Sequence, residues 1–348
     1  MKNICFVLTN MKSGGLQRNA AILANSFSEA GHNVYICCLY STENFYELDR
    51  KVSIIDLTTE KNKYLSFGIW KRKLFTFFKE KDIDTVISFG ERCGILCSKS
   101  IGYLKIKHIC RGVNTKKNFL NSFSLRCSKH IDCFIFQTNA QRSLYSKSVQ
   151  NKGVVIPNPF NLIDKNLNSS TENKNRFITI ASFKLKQKRQ DIMVEAFAIF
   201  AKNHPNYVFE MYGETNSSTE KVKELIKKLD LSSKIKIYGE VKDVQNSVVP
   251  SRAFICSSTY EGMPNALIEA LSYGIPVITT NWLGHDEIIK DGTNGLVCEM
   301  NDPHKLAEAM EKIASDDSLF KKLSSNCWNF IIHDFNKENV LNKWKQII

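Results

Sequence analysis

Seven predominantly apolar, strand-like runs punctuate the first 160 positions: "NICFVLT", "NVYICCLY", "VSIIDL", "DTVISF", "IKHIC", "DCFIFQT" and "GVVIP". Between several of them the apolar positions recur every three or four residues, as at Phe67, Trp70, Leu74, Phe77 and Phe78, the spacing of one helix face. Strands that are apolar at every position, separated by helices, predict a parallel sheet covered on both faces. A polar stretch, "NLIDKNLNSSTENKNR", follows "IPNPF" and predicts an interdomain linker. The pattern then restarts with "RFITIAS", "YVFEMYG", "KIKIYG", "AFICSS", "PVITT" and "GLVCEM". The expected fold class is α/β, with two Rossmann-like doubly wound domains facing across a cleft at the carboxyl ends of their strands. The expected boundaries are 1–160 for the first domain, 161–175 for the linker and 176–330 for the second domain, with a final helix over 331–348 returning to the first.

One stretch departs from ordinary amphipathic patterning. In "YEGMPNALIEALSYGIPVITT" Glu269 is surrounded by Ala266, Leu267, Ile268, Ala270 and Leu271, so it is not a simple solubilising charge. Pro264 suits the first helical position, and Gly274 with Pro276 closes the segment before a strand. Glu261 then precedes a short helix, and Glu269 lies roughly 7 Å further along it. Between the two carboxylates lie the expected free N–H groups of Asn265, Ala266 and Leu267, a helix start of the kind that binds phosphate. Two readings stay open on these residues alone: a nucleotide diphospho-sugar site, or a buried helix whose glutamates pair with lysines elsewhere.

Other candidate contacts fall at predicted strand ends. Gly14 and Gly15 end the first strand and open a helix, where backbone can approach a ligand. This is not G-x-G-x-x-G, and no acidic residue closes the second strand, which disfavours a nicotinamide site. "ASFKLKQKRQ" gathers Lys184, Lys186, Lys188 and Arg189 between a strand and a helix, where lysines would neutralise a diphosphate. Tyr212, Gly213 and Glu214 end the next strand in the same way.

Charge and cysteine content narrow the setting. The net charge of +13 lies wholly in residues 1–160, with 24 Lys and Arg against 11 Asp and Glu; residues 161–348 balance at 24 and 24. Such asymmetry predicts an anionic partner for the first half. No nucleic-acid module accompanies it, so an acidic membrane surface or an anionic substrate is expected instead. Beside the positive flank of the 64–81 helix (Lys71, Arg72, Lys79) stand Tyr64 and Phe75, an arrangement suited to a membrane interface. The eleven cysteines show no metal spacing and are expected to be reduced core residues of a cytosolic protein. No signal-peptide core and no apolar run near ~18 residues is present.

The Glu261 and Glu269 pair, "GMPNALIEALSYGIPVITT", the Gly284–Glu287 turn, "DGTNGLV" at 291–297 and "SGGLQRNAAILANSFSEAGHNV" together resemble the retaining glycosyltransferases of family 4. The resemblance covers essentially the whole chain and implies the GT-B architecture. By it, Glu269 would hold the ribose of the donor nucleotide and Glu261 would sit at the donor sugar near the reacting carbon. Asn265, Ala266 and Leu267 would cap the diphosphate, Lys188 would be the phosphate-binding lysine, and Glu240, Val241 and Lys242 would contact the base. The chain departs from the family pattern in reading Ser182-Phe183 in place of Gly-Arg, where Lys184 would substitute. It also places Arg111, Gly112 and Asn114 where many members have a histidine.

The implied activity is retaining transfer of an N-acetylhexosamine or hexose to a polyprenyl-diphosphate-linked glycan, from a UDP-sugar first and a GDP-sugar second. It would proceed without metal or cofactor, on the cytoplasmic face of an anionic inner membrane, with no nucleic-acid partner. The competing classes are a catalytically silent nucleotide-sugar binder and a Rossmann oxidoreductase or epimerase, the latter lacking its glycine fingerprint here.

Overall fold

The computed structural model describes residues 1–58, 63–112, 130–160, 175–241 and 247–348. It divides into two compact units, Met1–Pro159 with Lys337–Ile348, and Phe160–Asn336.

The first unit holds a parallel sheet of seven strands: β1 (Asn3–Met11), β2 (Asn33–Asn44), β3 (Ser53–Asp56), β4 (Thr85–Phe89), β5 (Lys107–Arg111), β6 (Cys133–Phe136) and β7 (Gly153–Val155). Their order is β3-β2-β1-β4-β5-β6-β7. Successive side chains of β1 enter different cores, which is why Ile4–Leu8 is apolar at every position. Ile4, Phe6 and Leu8 pack with Phe27 of α1 (Gly15–Glu29). Cys5 and Val7 pack with Trp70, Leu74 and Phe78 of α2 (Lys63–Glu80) and Leu96 of α3 (Glu91–Ile101). Two short helices follow, α4 (Asn139–Ser143) and α5 (Lys147–Asn151). The C-terminal helix, Lys337–Lys345, buries Val340 and Trp344 against the α1 side, with Trp344 edge-on to Phe27 at 6.4 Å.

The second unit repeats the plan with six parallel strands: β8 (Arg176–Ile180), β9 (Val208–Tyr212), β10 (Ile235–Gly239), β11 (Ala253–Cys256), β12 (Val277–Thr280) and β13 (Gly295–Cys298). Their order is β10-β9-β8-β11-β12-β13. Helices α6 (Leu185–Lys188), α7 (Gln190–Phe200), α8 (Ser217–Lys228), α9 (Asn265–Ser272), α10 (Pro303–Ser315) and α11 (Asp317–Asp334) cover it. Phe177 and Ile255 join one core with Phe197 and Met310, while Ile178 and Phe254 join the other with Leu267 and Ile331. Residues 331–334 close α11 in this unit, and the chain enters the first unit at Lys337.

In both sheets the strand order reverses beside the first strand, between β1 and β4 and between β8 and β11. Turns leaving the two strands at such a point run to opposite faces and open a crevice, the usual ligand position of doubly wound sheets.

Candidate active site

In the second unit the crevice is bounded by the turns after β8 and β11, and those turns are stitched together. Thr259 N–H donates to Gln187 O at 2.8 Å, Ser257 Oγ donates to the carbonyls of Lys188 (2.9 Å) and Arg189 (2.8 Å), and Thr280 Oγ1 donates to Ser258 O at 2.7 Å. This framework brings Lys188 and Glu261 into contact across 73 residues of sequence. Lys188 Nζ donates to Glu261 Oε1 at 2.5 Å, and Ser258 Oγ donates to the same oxygen at 2.5 Å. The Glu261 and Lys188 side chains are only 6% and 19% exposed, so the pair is weakly screened by water. Burial is the largest single influence and disfavours the Lys188 ammonium, yet the charge and hydrogen bond of Glu261, with smaller contributions from Cys256 and Tyr260, together hold its pKa above the ordinary lysine value. Glu261 Oε2 makes no hydrogen bond among the described residues. One carboxylate oxygen is thus fixed by two donors while the other can accept a hydroxyl.

Glu261 therefore pairs with a lysine, as one of the two sequence readings held, and the lysine is the candidate phosphate ligand itself. Ser258 was not singled out in the sequence. Its signal is modest, a hydroxyl three residues before a carboxylate in the turn after a buried strand.

Glu269 lies in α9 and is 7% exposed among Ile268, Ala270 and Leu271, as its apolar setting predicts. The start of this helix differs from expectation in two respects. Pro264 is not the first helical residue but the N-cap, with extended φ −74° and ψ 102°, and its carbonyl accepts from Ile268 N–H at 3.2 Å. The same carbonyl accepts from Leu267 N–H at 3.1 Å, so Leu267 is not a free donor for a diphosphate. Ala266 N–H makes no such bond among the described residues, and Asn265 opens the helix.

Lys184 is exposed at the N-cap of α6, where its carbonyl accepts from Gln187 and Lys188. Gly213 follows β9 at φ +135°, and a Cβ there would stand 2.2 Å from Ala181 O, so only glycine fits this turn. Glu240 is exposed after β10, Val241 is half-buried, and Lys242 lies outside the described residues. These strand ends are braced by Glu210, which accepts from Arg176 Nη1 (2.9 Å), Tyr212 Oη (2.8 Å) and Tyr238 Oη (3.3 Å). The two tyrosine rings stack at 5.0 Å.

Gly14 and Gly15 belong to the first unit, at the turn between β1 and α1. Gly14 is not open to a ligand as expected: its N–H donates to Tyr46 Oη at 2.8 Å, and that hydroxyl donates back to Gly14 O at 2.8 Å. Arg111 is buried at the end of β5, with Gly112 after it, while Asn114 lies outside the described residues. Arg111 Nη2 donates to Asn158 Oδ1, and Nη1 has no partner among the described residues. Burial pushes its pKa down to about 10.

Residues 163–328 match the family model of glycosyl transferases group 1. The chain is 26% identical over 365 residues to the Campylobacter jejuni GalNAc-alpha-(1->4)-GalNAc-alpha-(1->3)-diNAcBac-PP-undecaprenol alpha-1,4-N-acetyl-D-galactosaminyltransferase, covering all of this chain and 98% of that protein. It is 25% identical over 302 residues to the Escherichia coli UDP-Gal:alpha-D-GlcNAc-diphosphoundecaprenol alpha-1,3-galactosyltransferase, covering 79% and 77%. The crystal structure of Anabaena HepE in complex with UDP and glucose superposes with a TM-score of 0.83 at 14% identity, over 99% of each chain. The second unit thus carries a glycosyl transferases group 1 domain, and the chain as a whole has the GT-B fold.

Proposed function

We propose that the protein moves an N-acetylhexosamine or hexose, with retention of anomeric configuration, from a UDP-sugar to a polyprenyl-diphosphate-linked glycan. The observation that carries this reading is the Lys188–Glu261–Ser258 joint at the crevice of the second unit, with Glu269 buried in the helix that follows. Glu269 takes the ribose hydroxyls, Glu261 Oε2 takes a hydroxyl of the donor sugar, and Lys184, Lys188 and the α9 start face the diphosphate. As the bond from the sugar's anomeric carbon to the diphosphate breaks, negative charge grows on the leaving oxygen, where Lys188 stabilises it. The acceptor hydroxyl bonds to the same face of that carbon and passes its proton to the departing diphosphate. Two relatives whose names specify undecaprenol-diphosphate glycans support this acceptor class.

Glu269→Ala is expected to weaken UDP binding by about 1.5–3 kcal/mol, the range for hydrogen bonds to a charged group. Isothermal titration with UDP and GDP on wild type and variant, with melting temperatures to confirm folding, measures it. Equal UDP affinity in both proteins sinks the ribose assignment.

Transfer is also expected to survive excess EDTA, because lysine ammonium groups carry the neutralising charge. Loss of activity on chelation, restored by manganese or magnesium, would overturn that part of the reading.

The positive first half supports docking on the anionic cytoplasmic face of a membrane. Lys71, Arg72 and Lys79 are exposed on α2, and Phe75 meets Tyr103 edge-on at 5.6 Å, with Tyr103 76% exposed. An aromatic tip among exposed cations suits the headgroup region. The Tyr64 side chain, expected to share this patch, lies outside the described residues. Among the described residues no helix is long and apolar enough to cross a membrane.

A further inference from the structure

The crevice of the first unit holds a side-chain cluster with no part in donor binding. Its two bounding turns follow β1 and β4, and the second carries Arg92 in the first turn of α3. The Arg92 guanidinium lies 5.5 Å from the ring centre of Tyr40 and 5.8 Å from that of Trp70. Tyr40 meets Trp70 edge-on at 5.1 Å and 85°. Trp70 is a rigid base, 1% exposed and donating its indole N–H to Leu57 O at 3.0 Å. Tyr40 is 38% exposed and sits on β2 between the registered pairs Leu8↔Cys38 and Asn10↔Ser41, beside the end of β1.

Among the described residues Arg92 has neither a carboxylate partner nor a hydrogen-bond acceptor. Its neighbour Glu91 is buried and engaged by Tyr145, whose hydroxyl donates to Glu91 Oε1 at 2.7 Å. A second cation stands at the root of the same turn. Gly90 N–H donates to Arg111 O at 2.9 Å, and the Arg111 side chain, 1% exposed, likewise has no carboxylate partner among the described residues and leaves Nη1 unsatisfied. Arg92 itself is exposed and so open to a ligand, and a planar fork held on aromatic faces is preorganised for two oxygens at once. The charge surplus of the first 160 residues acts in the same sense.

We propose that Arg92, presented on Tyr40 and Trp70, binds the diphosphate of the lipid-linked acceptor. The proposal rests on the acceptor class inferred above and adds where the first unit holds it. A membrane phospholipid offers similar phosphate chemistry, and the test separates the two sources.

Farnesyl diphosphate is titrated calorimetrically into wild type, Arg92→Gln, Arg92→Lys and Tyr40→Ala, each already saturated with UDP so that the donor site is filled. Parallel titrations use farnesol and phosphatidylglycerol vesicles. Farnesyl diphosphate affinity should fall about tenfold to a hundredfold in Arg92→Gln, with partial retention in Arg92→Lys, which keeps charge but loses the fork. Tyr40→Ala should weaken binding by a smaller factor, while UDP affinity, measured separately, stays unchanged throughout. The proposal is overturned if Arg92→Gln binds farnesyl diphosphate like wild type, or if farnesol binds equally well. It is also overturned if vesicles alone show the Arg92 dependence. Failure of wild type to bind UDP would instead count against the donor reading, and the Arg92 comparison would still be decided on its own.

Discussion

Lys188→Met is expected to reduce transfer by about a hundredfold or more and to destabilise the second unit by about 3–5 kcal/mol. The second effect follows from Glu261, which is 5% exposed and would keep only Ser258 on its paired oxygen. Removing one member of a buried ion pair leaves the other charge uncompensated, which costs more than the intact pair contributes. Lys188→Met combined with Glu261→Gln removes both charges, so it should recover most of the stability while remaining inactive. Urea unfolding, fitted with one transition per unit, and turnover on the same preparations separate the two effects. A single variant as stable as wild type would show that the pair is not held in solution. A double variant that regains activity would remove both residues from the chemistry.

The thirteen strands were legible in the sequence as short apolar runs, most clearly in the central strands, where a strand buried on both faces has few polar positions. Ile4, Phe6 and Leu8 serve one core while Cys5 and Val7 serve the other, so the run "NICFVLT" has nothing to alternate. Glu269 was legible for a related reason, as a charge inside an apolar helix needs an explanation. Contacts made between distant turns were not legible. The Lys188–Glu261 bond spans 73 residues and depends on how the turns after β8 and β11 meet, which no local pattern encodes. Gly14 was misread because the turn chemistry suggested an open backbone, while the hydroxyl that fills it belongs to Tyr46, 32 residues away. Arg92 carries no motif at all; its setting arises only when β2, α2 and α3 bring Tyr40 and Trp70 beneath it.

Mild acid is expected to weaken the first unit through His108, a residue outside the proposed chemistry. His108 is fully buried, and its ring is used on both sides: Nδ1 donates to His130 O at 2.8 Å, leaving Nε2 to accept from Ser88 Oγ at 2.9 Å. Its backbone N–H donates to Asp132 Oδ2 at 2.7 Å, which places the residue firmly at the start of β5. Burial lowers its pKa from 6.5 to about 4, against the smaller opposing effects of the His130 carbonyl and Asp132. Between those values the unfolded chain binds a proton that the folded chain does not, so stability is full above about pH 6.5 and falls as pH drops toward 4. At about 1.4 kcal/mol per pKa unit the total loss is about 3 kcal/mol. Carboxylates titrate in the same window, and the informative quantity is therefore a difference. Urea midpoints at pH 7 and pH 4.5 for wild type and His108→Gln should show a smaller acid loss in the variant, whose amide carries no titrating proton. An equal loss in both proteins would place the acid sensitivity of this unit elsewhere.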